Sequence, residues 1–372
     1  MSYLNKLLQG VEVEWKVLGE VCKVLRGKRL TKKELIENGE YPVFHGGLEP
    51  LGFYSEANRP ANTVMIINVG ASAGTVGYSN VEFWSSDGCF CLGHSEMINN
   101  KFLYYYLIGE QHFLKSRVRV AGIPTLDNFV VEKLQIPIPP LSVQKEIVRI
   151  LDSFTELTAE LTAELTARKQ QYNYYREKLL SFEGVEVEWK TLGEIGEVRM
   201  CKRILKEQTT DVGEIPFYKI GTFGKEPNAY ISKKLFEEYK SKYNYPRIGE
   251  VLISASGTIG RAVIFDGKDA YFQDSNIVWV ENDESIVLNK FLFYCYQIAN
   301  WNVADGGTIQ RLYNDNLKKT KILVPSLEEQ ERIVSILDKF DTLTTSISEG
   351  LPREIELRQK QYTYYRDKLL TF

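Results

Sequence analysis

The most regular stretch of the chain runs from Ser142 to Phe182 without a glycine or a proline. Along it Ile150, Phe154, Leu157, Leu161, Leu165, Tyr172, Tyr175 and Leu179 recur mostly at three- and four-residue steps. That spacing places them on one face of a helix. Ser142, just after Pro139 and Pro140, is expected as its N-cap. Some 40 residues would span roughly 60 Å at about 1.5 Å each. A second stretch, from Leu327 to Phe372, carries a matching stripe of Ile336, Phe340, Leu343, Ile347, Leu351, Ile355, Tyr362, Tyr365 and Leu369. Pro352 is expected to kink or restart it, because proline removes a backbone donor and clashes with the preceding turn. Each stripe is the other's best partner, which predicts a two-helix coiled coil. Inside the first stretch lies TAELTAEL, Thr158 to Leu165. Consecutive steps of four loosen a heptad coil locally, so the segment reads either as plain helix or as a ruler that changes four residues at a time.

Outside these stretches the pattern shortens. TVMIINV from Thr63 and EVLIS from Glu250 read as buried strands, and the aromatic runs near Asn100 and Asn289 as helices. The fold class predicted is mixed α/β. Three blocks occur twice, with a period of about 180 residues, too long for a solenoid. VEVEWKVLGEV from Val11 returns as VEVEWKTLGEI from Val185, and IPIPPLSVQKEIVRILDSF from Ile136 as ILVPSLEEQERIVSILDKF from Ile322. RKQQYNYYREKLLSF from Arg168 returns as RQKQYTYYRDKLLTF at the C-terminus. Fainter echoes link SAGTVG from Ser72 to ASGTIG from Ala255, and NKFLYYYL from Asn100 to NKFLFYCY from Asn289. LNKLLQGVEVEW from Leu4 also echoes EKLLSFEGVEVEW from Glu177, so the chain begins with the tail of a repeat. A circular, pseudo-twofold arrangement of two homologous domains is expected. The segments predicted are 1–10 as an N-terminal piece of the shared region, 11–141 and 183–327 as domains, and 142–182 and 328–372 as helices.

With 372 residues, 44% of them hydrophobic and 26% charged, the chain can bury more than one core. No apolar run reaches the roughly 18–20 residues of a membrane helix, and the N-terminus lacks a signal-peptide layout, so a cytoplasmic protein without membrane contact is expected. Cys22, Cys89, Cys91, Cys201 and Cys295 form no CxxC pair and read as reduced thiols. His45, His94 and His112 show no HExxH spacing, and no GK pair is followed by Ser or Thr. The glycine-rich GASAGTVG from Gly70 lacks the GxGxxG pattern of a dinucleotide site and reads as a tight turn between strands. Asp87 and Asp274 are candidate carboxylates without an identifiable catalytic partner.

A net charge of −3 does not announce a nucleic-acid binder, so such a reading must rest on local clusters. Lys23, Arg26, Lys28 and Arg29 form one in the first half, and Arg199, Lys202 and Arg203 one in the second. Arg117, Arg119 and Arg311 lie near glycine-containing loops that lead into the returning strand. Arginine can read guanine bidentately and lysine neutralises phosphate. Clusters of this kind are also compatible with ordinary solvated faces.

The PPLSVQKEIVRILDSF and PSLEEQERIVSILDKF blocks, the TAEL repeat, the EGLPREIELRQKQYTYYRDKLL ending and the reopening VEVEWKTLGE together resemble the specificity subunits of type I restriction-modification systems, most of all the IC subgroup. The resemblance covers essentially the whole chain. It implies two target-recognition domains held apart by antiparallel helices, each domain reading half of a split sequence in double-stranded DNA. It implies that Leu157, Leu161, Leu165, Tyr172, Tyr175, Leu343, Ile347, Tyr362 and Tyr365 belong to a spacer that sets the gap and docks partners. It also implies a chain without catalysis, cofactor or metal of its own. Two modification subunits would methylate adenine with S-adenosylmethionine, and restriction subunits would use ATP and magnesium. An orphan DNA-binding scaffold without such partners, and an enzyme with a cryptic site near Asp87 or Asp274, are the other classes in play.

Overall fold

The computed structural model describes residue 7 and residues 10–182, 187–301, 311–346 and 348–372. Its contacts group Met1–Thr162 with Glu354–Phe372 as one compact unit, and Ala163–Arg353 as another. Each unit therefore takes in part of both helical stretches.

In the first unit, β1 (Glu14–Val17) leads into a single helical turn, α1 (Leu18–Val21), and pairs antiparallel with β9 (Gln135–Ile138). A four-stranded sheet has the order β2 (Val24–Arg26), β8 (Cys89–Leu92), β5 (Thr63–Ile67), β6 (Val76–Ser79). A smaller sheet has β3 (Tyr41–Phe44) in its centre, antiparallel to β4 (Gly52–Tyr54) and parallel to β7 (Trp84–Ser85). Every residue of β5 is buried, as its unbroken apolar run requires of a central strand. Helices α2 (Asn100–Gly109), α3 (Gln111–Ser116) and α4 (Asn128–Glu132) follow, and then α5 (Leu141–Ser181).

The second unit repeats this topology strand for strand. A ribbon of β10 (Glu188–Thr191) and β18 (Lys321–Val324) brackets it. The larger sheet runs β11 (Gly196–Arg199), β17 (Ile277–Asn282), β14 (Val251–Ser254), β15 (Ala262–Ile264), and the smaller has β12 (Ile215–Tyr218) between β13 (Tyr230–Ile231) and the parallel β16 (Tyr271–Phe272). The turn α6 (Leu192–Ile195) matches α1, α8 (Asn289–Ile298) matches α2, and α9 (Asn314–Lys319) comes just before β18. Among the described residues one element is new: the ten-residue helix α7 (Lys233–Lys242) lies between β13 and β14.

The shared blocks are explained by buried polar clamps. Gln144 is fully buried; its side-chain oxygen accepts from the Asn99 N–H (2.7 Å) and its amide donates to the Met97 and Pro139 carbonyls. Gln330 does the same with the Leu288 N–H and the Ile286 and Pro325 carbonyls. Asp152 accepts from Lys101 (2.8 Å) and the Tyr105 hydroxyl (2.5 Å); Asp338 accepts from Lys290 and Tyr294 at 2.5 and 2.6 Å. Each clamp bolts the start of a long helix to the globular part of its own unit. The residues buried deepest there are Ile147 and Leu151, and Ile333 and Leu337, beside the stripe read from the sequence.

Further along, Phe154 stacks on Tyr365 in the first unit, with ring centroids 5.2 Å apart. In the second, Tyr175 stacks on Phe340 at 5.7 Å. The C-terminal block thus completes the first unit as the homologous end of α5 completes the second. Phe372 meets Phe102 as Phe182 meets Phe291. Leu161 and Tyr172 are buried, and Leu157, Leu165, Leu343, Tyr362 and Tyr365 half-buried, whereas Tyr175 keeps 37% of its surface exposed despite its stacking. Ile347 and most of segment 1–10 lie outside the described residues.

Two expectations need correction, and a third is met. Ser142 is not a cap: α5 begins at Leu141, and the Pro140 carbonyl accepts from Val143 and Gln144. The second stretch restarts near Pro352 as expected, giving two helices, α10 (Leu327–Thr345) and α11 (Leu351–Leu370). Gly350 adopts φ +87°, a conformation that favours glycine, and Pro352 sits in the first turn of α11, where a missing N–H costs nothing. The echo between SAGTVG and ASGTIG is out of register. Ile67 and Ser254 each bond across their hairpins in the same way, through Gly74 and Gly260, so Asn68-Val69-Gly70 corresponds to Ala255-Ser256-Gly257. Gly70 and Gly257 both have positive φ.

Candidate nucleic-acid interface

Strand register identifies an equivalent locus in both units. Arg26 faces Phe90, and Arg199 faces Trp279, which is equivalent to Cys91. Arg199 therefore matches Leu25, and the segment leaving the strand, Arg26-Gly27-Lys28-Arg29, matches Met200-Cys201-Lys202-Arg203. Three further pieces converge there. The Asn68 carbonyl accepts from Leu126 and the Ala255 carbonyl from Leu312, while Val69 bridges to Thr125 and Ser256 to Arg311. Ser86 donates its N–H to the Phe44 carbonyl and Gln273 its N–H to the Tyr218 carbonyl, which sets Asp87 against Asp274 and His45 against Lys219.

In the first unit these pieces line a cleft of about 560 Å³ with Arg26, Arg29, Lys32, His45, Asn68 and Asp87 on its walls. Arg26, Arg29 and Lys32 form no ion pair among the described residues. His45 Nδ1 is 3.4 Å from Asp87. Asn68 is only 5% exposed, and its side-chain oxygen has no hydrogen-bond partner among the described residues. Lys28 lies 6.0 Å from the Trp84 ring, whose indole N–H donates to the Lys28 carbonyl. Thr31 donates its N–H and hydroxyl to Glu34, holding that carboxyl below the usual range, and Lys28 adds to the effect. Side-chain hydrogen bonds from Trp84 and to Glu34 thus hold the backbone that carries the cations.

In the second unit Arg203 donates to Asp274 at 2.9 Å and Lys202 lies 5.2 Å over the ring of Tyr243, beside the added helix. Ser256 donates to Asn276. The structure thus brings together Arg26, Lys28 and Arg29 in one unit, and Lys202, Arg203 and Arg311 in the other. Arg119 stands at the rim of the first locus, its backbone paired with Thr125 and its side chain ion-paired to Asp127 at 3.0 Å. Three candidates fall outside. Lys23 precedes β2, at the end away from Arg26. Arg117 lies 4.9 Å over the Phe113 ring and lines a different cleft. Arg199 points from the sheet into ion pairs with Glu197 and Glu281, both 2.8 Å. Sequence reasoning missed His45, Asn68 and Thr125; only the pairing of β3 with β7 and of Val69 with Thr125 brings them to the basic segment.

Among the described residues no helix is long and apolar enough to cross a membrane, and no group of three or more His, Cys, Asp or Glu could hold a metal ion. The five cysteines are free and buried.

The family model described as the type I restriction modification DNA specificity domain matches residues 10–168 and again 184–357. A putative type I restriction enzyme specificity subunit of Haemophilus influenzae is 52% identical over 386 residues, covering 100% of this chain and 98% of the relative. The EcoR124I/EcoR124II specificity subunit of Escherichia coli is 37% identical over 408 residues, covering 100% and 97%. The crystal structure of a type I restriction-modification S subunit from M. genitalium superposes with a TM-score of 0.65 at 18% identity, over 100% of both chains. A chain from a structure of the type I R-M system, concerned with its complex assembly and conformational transition, gives 0.57 at 17%, over 96% and 97%. Two matched repeats on one doubled fold leave a single conclusion: the chain belongs to the type I restriction modification DNA specificity family.

Proposed function

We propose that this chain is the DNA-reading, non-catalytic subunit of a type I restriction-modification complex in the cytoplasm, and that each unit reads one half of a bipartite duplex target. The observation that carries this reading is a scaffold repeated strand for strand with a mixture of kept and changed side chains at one locus. Lys28, Arg29 and Lys32 are matched by Lys202, Arg203 and Lys206. Arg26, His45, Asn68 and Thr125 are replaced by Met200, Lys219, Ala255 and Arg311. Phosphates look alike in every sequence and bases do not, so the kept cations suit the backbone and the changed positions suit base edges. Arg311, bidentate-capable and exposed, is the base-reading candidate of the second unit.

The long helices then set the gap between half-sites and take part in docking two modification subunits, with restriction subunits joining the assembly. S-adenosylmethionine, ATP and magnesium would be used by those partners, and none is needed by this chain. The test is to map methylated adenines in DNA from cells making this chain with its modification partner, and to assay the purified chain alone. A two-part motif with unrelated halves, and no methyl transfer or cleavage by the lone chain, is expected. Methylation of DNA by the lone chain would refute the division of labour. DNA binding that never depends on a modification partner would favour an orphan scaffold.

A further inference from the structure

The locus above absorbs the divergent side chains, but it does not explain the block that diverges least, VEVEWK. In both units its tryptophan sits on the bracketing ribbon, Trp15 opposite Pro137 and Trp189 opposite Leu323. Both are turned outward, 49% and 60% exposed. Their neighbours Lys16 and Lys190 fold back onto Glu14 and Glu188 at 3.2 and 2.8 Å, so the local arrangement is repeated to the side chain. A half-exposed tryptophan gives up burial that such a large ring would otherwise contribute, and a pair of them at one register position needs a common reason.

Each tryptophan borders a cleft, of about 520 Å³ in the first unit and 400 Å³ in the second. The wall positions correspond, Tyr106 with Cys295, Lys133 with Lys319, and Gln135 with Lys321, and of these the lysine at 133 and 319 is the same residue. Phe129 adds a further exposed ring in the first. Lys133, Lys319 and Lys321 form no ion pair among the described residues. Each cleft thus sets an exposed tryptophan beside basic side chains, Lys133 and Arg117 in the first, where Glu110 also lines the wall, and Lys319 and Lys321 in the second. Tryptophan beside lysine complements a peptide that offers an apolar anchor flanked by carboxylates. The tryptophan and one lysine are kept in both clefts, Trp15 with Lys133 and Trp189 with Lys319, while Tyr106 and Gln135 give way to Cys295 and Lys321. The kept pair offers the same apolar anchor and positive charge on both units, which suits one partner present twice rather than two different half-sites of DNA.

We propose that the Trp15 and Trp189 clefts are twin docking sites for one protein partner, each receiving an apolar, acid-flanked segment from one copy of the modification subunit. This rests on the reading given under Proposed function and adds the surface that seats the partner. The test uses the full chain reconstituted with its modification subunit, with stoichiometry read by native mass spectrometry and affinity by sedimentation. W15A and W189A should each leave one bound copy and W15A/W189A none, with at least about a 30-fold loss of affinity at the altered site, as for a central tryptophan anchor. The charge reversals K133E and K319E, which lie outside the ribbon strands, should weaken the same two sites separately. Full binding by the correctly folded double tryptophan variant and by the charge reversals would overturn the proposal. So would intact subunit binding with weakened, salt-sensitive DNA binding, which would assign the clefts to DNA. A wild-type chain that binds no modification subunit would instead overturn the functional reading, and this inference with it.

Discussion

Replacing Lys28 and Arg29 by alanine separates backbone anchoring from base reading. Both side chains are exposed and outside any ion pair among the described residues. The backbone they leave is held independently, by the Trp84 indole N–H on the Lys28 carbonyl and by Lys28 N–H on the Ser85 carbonyl, each 2.9 Å. The variant should therefore fold. If each side chain neutralises one phosphate, each loss reduces the slope of log affinity against log salt by about 0.9, or about 1.8 for the pair. Between 50 and 200 mM salt the wild type should then lose about 12-fold more affinity than the variant. In the second unit Arg203 is already bound to Asp274 at 2.9 Å, so phosphate must compete with a carboxylate. K202A/R203A should change the slope by less, and D274N should steepen it. Fluorescence anisotropy of a labelled target duplex, titrated with the assembled complex at several salt concentrations, measures this. The methylated motif should stay the same. An unchanged slope, or a motif altered in one half, would refute the assignment of these cations to phosphate.

Other outcomes follow from the same geometry. Q144L should cost about 3–5 kcal/mol in urea melts, since it leaves one N–H and two carbonyls without their partner, each buried loss being worth about 1–3 kcal/mol and the part-buried Asn99 N–H and Met97 carbonyl lying at the low end of that range; a loss below about 1 kcal/mol would mean the amide is no clamp. Glu250 is buried, and desolvation raises its pKa above the ordinary carboxyl value. Its folded form holds the proton more tightly than the unfolded one, so its contribution is greatest at low pH and is lost as pH rises through the folded pKa. E250Q should accordingly stabilise the protein at pH 7, and the gain should vanish below the unfolded pKa of about 4.3. Adding one TAEL after Leu165 adds about 6 Å of helix and roughly 40° beyond a full turn. At about 3.4 Å per base pair the mapped gap should grow by one pair with both halves unchanged, because rotation absorbs part of the shift. A two-residue insertion, which turns the stripe by about 200°, should abolish methylation.

The long helices and the twofold repetition are readable from the chain because their signals are local. A 3.6-residue period and a recurring block both lie within a short window. The break at Gly350 was only half visible: Pro352 marked it, but the glycine whose positive φ makes the turn carries no such signal on its own. The sheet pairings were invisible, because β3 meets β7 in parallel across some 40 intervening residues and nothing in either short strand names the other. The candidate interface suffered most from this. Arg26 and Arg29 stood out as a run, whereas His45, Asn68 and Thr125 are solitary residues that only nonlocal pairing collects. Arg199 misled for the converse reason. It belongs to a basic run in sequence, yet strand alternation turns it toward Glu281. The buried glutamines looked like ordinary polar residues of a helix start until the carbonyls of Met97 and Ile286 were placed beside them.

The central claim is that each unit reads its own half of the target on a shared scaffold. Exchanging residues 20–135 for the corresponding region of a relative with a different target, followed by genome-wide mapping of methylated adenines, tests it most directly. One half-site should change to that of the donor, while the other half-site and the gap stay as in the wild type. A motif in which both halves change, or in which the exchanged unit leaves the motif untouched, would contradict it.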